Sequence, residues 1–254
     1  MARVFITGSS DGLGLLAGRQ LAGEGHEVVL HARNERRAAD ARAALPAASA
    51  VVIGDLVSLD GMRQVAAQAN AAGPFDAVIH NAAVGYRERR QKTPDGLNHV
   101  FAVNTLAPYL LTALITRPRR LIYLSSGLHR GATAALNDLQ WERRSWNGMQ
   151  AYSDTKLHDV VLAFAAARRW PDLFANALEP GWVPTKMGGS GAPDDLEAGA
   201  ATQVWLAVSD DPAAAVSGRY FYHLRPREAD PVARDPEVQQ RLLEICASLS
   251  GTSW

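Results

Sequence analysis

Apolar positions along the chain keep two rhythms in turn. Residues 3–7, Arg-Val-Phe-Ile-Thr, form a short β-rich run that stops at glycines, and from Leu13 to Leu21 the spacing becomes helical. The change then repeats. Residues 27–31 predict a strand before a charged helical stretch at about 34–45, and residues 50–53 a third strand before a helix capped by Ser58 and ended near Ala72 by Gly73-Pro74. Residues 76–80 predict a fourth strand followed by a long helix over about 95–114, and residues 120–124 a fifth. A helix over 148–169, a strand over 173–178, a helix over about 195–208, a short strand over 219–222 and a helix over about 236–249 complete the pattern. Strands alternating with helices predict an α/β fold: a doubly wound, mostly parallel sheet of seven strands with helices on both faces. No repeat or linker interrupts it, so residues 1–254 read as one domain, with halves of about 1–125 and 126–254.

Composition narrows the partners. The 26 basic and 26 acidic residues cancel, so no global field argues for nucleic acid or an anionic membrane, and a small molecule is the expected partner. One cysteine, Cys246, excludes an intrachain disulfide and a cysteine-based metal cluster, and its expected role is helix packing. No apolar run approaches the ~20 residues that span a bilayer and no signal peptide is visible, so a cytoplasmic protein is expected.

The first strand meets the first helix at Thr7-Gly8-Ser9-Ser10-Asp11-Gly12-Leu13-Gly14, the place for a dinucleotide-binding loop. Glycines there permit a tight turn and close approach of a pyrophosphate, whose charge meets the free amides of the helix N-terminus. Enzymes that prefer NAD place a carboxylate after the second strand for the ribose 2′-hydroxyl; here the residues are His31-Ala32-Arg33-Asn34. Arg33, with Arg36 or Arg37 in reserve, can instead pair with a 2′-phosphate, which predicts NADP(H) over NAD(H) while leaving NAD(H) possible. Asp55-Leu56 is positioned for the adenine edge, and Asn81-Ala82-Ala83 for the floor beneath the cofactor.

Tyr152 and Lys156 stand four positions apart at the start of the 148–169 helix, hence on one face. An ammonium beside a phenol favours the phenolate, which predicts a tyrosine tuned downward for acid/base work.

Taken in order, these motifs resemble the short-chain dehydrogenase/reductase family over essentially the whole length. The resemblance rests on the glycine motif, Asp55, Asn81-Ala82-Ala83, Asn104, Ser126, Tyr152 with Lys156, and Pro180-Gly181 with Thr185. It implies a three-layer Rossmann fold and hydride transfer between nicotinamide and an apolar carbonyl or alcohol. Tyr152 would be the general acid/base, Ser126 a stabiliser of the developing oxyanion, Lys156 a tyrosine tuner and ribose anchor, and Asn104 the holder of a water chain. It also implies cofactor contacts at Pro180, Gly181, Val183 and Thr185. The alternative is a regulator that senses a dinucleotide without catalysis.

One departure stands out. Ser126 and Tyr152 are 26 positions apart, longer than in compact members, and the insertion between them looks like the retinol dehydrogenase-like and WW-domain oxidoreductase-like branch. Trp141, Trp146 and Trp182 are candidates for an apolar pocket wall, with packing as the alternative. His129 reads as a loop hydrogen-bonder, and no metal is expected. Residues 186–191 suggest a mobile, open lid. Compact members pair through the tyrosine helix in dimers or tetramers; a homodimer or homotetramer is possible here, but the insertion could alter that contact.

Overall fold

The computed structural model describes all of residues Met1–Trp254. Its strands are β1 Arg3–Ile6, β2 Glu27–Ala32, β3 Ala50–Ile53, β4 Ala77–His80, β5 Arg120–Leu124, β6 Phe174–Glu179, β7 Tyr220–Tyr222 and β8 Arg225–Arg227. They form one sheet in the order β3-β2-β1-β4-β5-β6-β7-β8, parallel except for the final β7–β8 pair. The sheet therefore has eight strands where seven are expected. Arg225-Pro226-Arg227 is exposed throughout and has no apolar pattern to betray it; it is set by a two-residue turn in which His223 and Leu224 both take positive φ, 46° and 64°. Proline is tolerated there because the strand is an edge.

The helices are α1 Gly12–Gly23, α2 Glu35–Ala44, α3 Leu59–Ala72, α4 His99–Phe101, α5 Ala107–Leu114, α6 Gly148–Arg169, α7 Leu196–Val208 and α8 Pro236–Ser250. The sheet splits the core into two layers. Phe5, Val29, Val78 and Leu121 point toward α3, α5, α6 and α8, while Val4, Ile6, Leu30 and Ile122 point toward α1 and α7. Cys246 is buried among the first set. No helix is long and apolar enough to cross a membrane.

Two expectations about helices change. The run over 95–114 is not continuous: Gly96 turns with φ 77°, Asp95 accepts the N–H of Leu59 at 2.8 Å, and Asn98 caps α4. Between α4 and α5, residues Ala102–Leu106 widen into a π-helical turn that contains Asn104. Such bulges recur at functional sites. Helix α6 is not a one-sided amphipathic helix either, since every residue from Ala151 to Ala166 is buried. β5, β6, α8, α4, the π turn and the short 3-10 turn Gly127–Gly131 together enclose it.

Candidate active site

The glycine loop is held from three sides. Gly8 takes φ +61°, and a Cβ there would come within 2.7 Å of Ala82 Cα; one at Gly14 would come within 2.5 Å of Asn81 Nδ2. The Asn81 side-chain amide donates to the Thr7 and Gly8 carbonyls at 2.9 and 3.0 Å, and Thr7 Oγ1 accepts the N–H of Asn81 and of Ala82 at 3.0 Å each. From β2, His31 Nδ1 accepts the Gly8 N–H at 2.9 Å while Nε2 meets the Gly54 carbonyl at 2.9 Å. Burial lowers the His31 pKa, against the Gly54 hydrogen bond and the charge of Asp55, so the ring is neutral with Nε2 protonated.

α2, α3, α6, α7 and α8 are capped by the side chains of Asn34, Ser58, Asn147, Asp195 and Asp235, but α1 begins at Asp11 with no side-chain cap. Its first amides are left as donors toward the cleft, which fits an anionic pyrophosphate.

The cleft encloses about 810 Å³ at the carboxyl ends of the strands, within the range of small-molecule sites. Gly8, Ser10, Asp11, Gly12 and Leu13 line it from the loop, Arg33 from the end of β2, and Asp55 and Leu56 from the end of β3. Asn81, Ala82 and Ala83 line it from the loop after β4, Tyr152 and Lys156 from α6, and Pro180 and Thr185 from the loop after β6, where Thr185 faces Gly12. Five expected residues stand behind this lining. Gly14 packs on Asn81, Gly181 against Asp194 and Val183 against Gly199. Asn104 is tied to Val84, accepting its N–H at 2.8 Å and donating to its carbonyl at 3.0 Å, and reaches Thr155 Oγ1 at 3.1 Å. Ser126 stands near Tyr152, where its hydroxyl works to lower the phenol pKa, and accepts the Leu128 N–H at 3.3 Å.

Arg33 and Arg36 both line the cleft and make no ion pair, whereas Arg37 is engaged with Asp11 at 2.5 Å and Asp40 at 3.2 Å. Lys186 also reaches Asp11, at 2.6 Å. Partial burial works to raise the Asp11 pKa, but the Lys186 hydrogen bond and the Arg37 charge outweigh it and hold the carboxyl below its ordinary value. The segment expected to be an open lid is thus bridged to the glycine loop and bonded to itself, Trp182 Nε1 donating to the Gly188 carbonyl at 2.9 Å. With Lys186 80% exposed, that bridge is worth at most about 1 kcal/mol.

Lys156 Nζ lies 5.6 Å from the centre of the Tyr152 ring, and the edge of Tyr86 meets that ring at a centroid distance of 6.0 Å. Contrary to expectation, the Tyr152 pKa is raised: burial pushes it up and outweighs Lys156, with Asp159 adding to the rise. Asp159, three positions beyond Lys156, takes one ammonium N–H at 2.7 Å, and the Leu124 carbonyl takes another at 2.7 Å.

The insertion is pinned to α6. Arg144 pairs with Asp154 at 2.8 Å and lies 3.7 Å from the centre of the Trp141 ring, whose neighbour is Trp146 at 5.1 Å. Trp141 and Trp146 pack with Val100 and Ala151, Trp182 is 55% exposed, and none of the three lines the cleft. His129 is a loop hydrogen-bonder as expected, joining the Ser126 carbonyl at 2.7 Å to the Asp230 N–H at 3.1 Å.

A model of the short-chain dehydrogenase family matches residues 2–195. The chain belongs to the short-chain dehydrogenase/reductase family of oxidoreductases. It is 45% identical to an uncharacterized oxidoreductase of Emericella nidulans, over 99% of this chain and 98% of that one. It is also 32% identical to human retinol dehydrogenase 13, over 98% of this chain and 84% of the relative, in keeping with the branch that the insertion resembles. Among solved structures, a protein of Mycobacterium paratuberculosis superposes with a TM-score of 0.85 at 26% identity, covering 100% of this chain and 94% of the other.

Three contributors escape the sequence pattern. His31 hides inside an apolar strand, Lys186 in a loop with no periodicity, and Asp159 on a helix where a charge ordinarily signals solvent. The spacing of Asp159 from Lys156 is its only signal.

Proposed function

We propose that this oxidoreductase interconverts an apolar carbonyl compound and its alcohol, using NADP(H) in preference to NAD(H). The reading rests on one observation: the Tyr152 phenol and the Lys156 ammonium line the same cleft as an uncapped helix N-terminus, with Ser126 just behind the lining near the phenol. A bound nicotinamide supplies or accepts the hydride. In reduction, Tyr152 gives its proton to the carbonyl oxygen as the carbon gains hydride, and Ser126 donates a hydrogen bond to the same oxygen as negative charge grows on it. Lys156 orients the phenol and the nicotinamide ribose. Asn104 acts behind them by tying the loop after β4 to α6.

Arg33 and Arg36, both without a carboxylate partner, supply the preference for a 2′-phosphate. The retinol in the human relative's name is an alcohol with an apolar body, in line with this substrate class. A cytoplasmic location, a single domain over 1–254 and the absence of a nucleic-acid or membrane partner belong to the same reading.

Loss of NADPH absorbance across aldehydes, ketones and quinones tests it, with matching alcohols run against NADP. At least one compound is expected to turn over, and more slowly with NADH than with NADPH. A flat panel with tight cofactor binding would favour a dinucleotide sensor.

A further inference from the structure

A lysine ammonium carries three N–H donors and one positive charge. In this chain two of those donors are spent inside the protein, one on the Leu124 carbonyl and one on Asp159 Oδ2, each at 2.7 Å. Both side chains are 4% exposed. The third donor is the one left for the cleft, which Lys156 lines beside Tyr152. The charge is spoken for as well, because a carboxylate at contact distance in a water-poor pocket turns a lone cation into a neutral pair.

Other ionisable groups around α6 leave this balance intact. Asp154 faces the insertion and pairs with Arg144 at 2.8 Å. His158 bonds Thr105 at 3.1 Å and is held neutral by burial, its pKa lowered to about 4. From β5, the Tyr123 phenol bonds Thr112 at 2.7 Å, and from β4, His80 bonds the same hydroxyl at 3.0 Å, neutral through burial. Tyr86 brings a phenol to the Tyr152 ring and no fixed charge. Among the charges acting on Tyr152, Lys156 is the leading cation and Asp159 the leading carboxylate.

We infer that Asp159 is a positioning residue with a second effect: it clamps Lys156 so that one N–H serves the cleft, and it cancels the ammonium charge so that Tyr152 keeps its proton. The site is thereby biased at neutral pH toward carbonyl reduction. This rests on the proposed oxidoreductase function for its direction, but not for its charge balance. In reduction the carbon gains hydride, the oxygen takes the Tyr152 proton, and the phenolate left behind recovers a proton from solvent. In oxidation Tyr152 must first lose that proton, which a neutral Lys156–Asp159 pair does little to help.

The charge balance is read without any substrate. An ultraviolet phenolate titration of the purified full chain, taken as the difference from its Tyr152→Phe variant, isolates the Tyr152 phenol. In the natural chain its midpoint is expected above the ordinary tyrosine value of about 10; a midpoint near neutrality would overturn the inference. Asp159→Asn keeps the shape and an oxygen acceptor for Lys156 but removes the charge, and should lower that midpoint by about 1 pH unit or more. Asp159→Glu, which keeps the charge, should leave it near the natural value. An unmoved midpoint in a folded Asp159→Asn protein, or equal falls in both variants, would overturn the inference. If a substrate is in hand, the ratio of oxidation to reduction turnover at pH 7 should rise in Asp159→Asn, about tenfold for every pH unit by which the phenol midpoint falls. A titration that behaves as expected while no compound turns over would sink the proposed activity and leave the charge balance standing.

Discussion

Gly8 gives its backbone N–H to Nδ1 of His31 at 2.9 Å, so an imidazole from the second strand sets the shape of the cofactor loop. Only a neutral ring with Nε2 protonated can accept there while donating to the Gly54 carbonyl. Replacing His31 with leucine takes the partner from the half-buried Gly8 N–H, at a cost of about 1 kcal/mol. NADPH affinity, read by fluorescence titration, should fall roughly tenfold, with the thermal midpoint lowered as well. Because burial holds the His31 pKa below 6.5, affinity in the natural chain should hold as pH drops to that value and weaken only at lower pH.

Tyr152→Phe removes the proton donor and leaves the ring packed against Tyr86. Turnover of any accepted substrate should drop by about 10²–10⁴ with NADPH binding nearly unchanged. A variant that retained most of its rate would remove Tyr152 from the chemistry.

Arg33 and Arg36 line the cleft without ion partners, so their double replacement by alanine should cost little stability. NADPH affinity should fall about 10- to 100-fold while NADH affinity stays level, as expected for the loss of charge-assisted bonds to a 2′-phosphate. Equal losses for both cofactors would place the 2′ end elsewhere.

The acid limb of stability carries its own sign. His158 is buried and neutral with a pKa lowered from 6.5 to about 4, so between those values the unfolded chain binds a proton that the folded chain refuses. Its stabilising contribution is complete above pH 6.5 and is lost as pH falls toward 4. The drop in unfolding free energy from pH 7 to pH 5, measured by urea titration, should be smaller in His158→Gln by about 2 kcal/mol. An unaltered drop would mean that His158 protonates freely in the folded protein.

Much of this was legible in the residues because local chemistry and tertiary context agree. The 148–169 helix has an asparagine cap before it and apolar spacing within it, and the glycine loop joins a clear strand to a clear helix. Where neighbours decide, the pattern is silent. β8 exists because the turn at His223 and Leu224 folds an exposed Arg-Pro-Arg onto β7. Trp141 is buried under Arg144, which pairs with Asp154, and Trp146 packs on Trp141 and donates to the Glu88 carbonyl. Tyr152 is raised, not lowered, because burial is a property of the whole molecule and the carboxylate of Asp159 offsets its nearest cation.

The enclosure of α6 by its own chain has a practical meaning. No residue from Ala151 to Ala166 waits for a second copy to cover it, so the helix that carries Tyr152 and Lys156 is finished within one molecule. Specific activity should then stay flat as the protein is diluted, even if copies associate through another face.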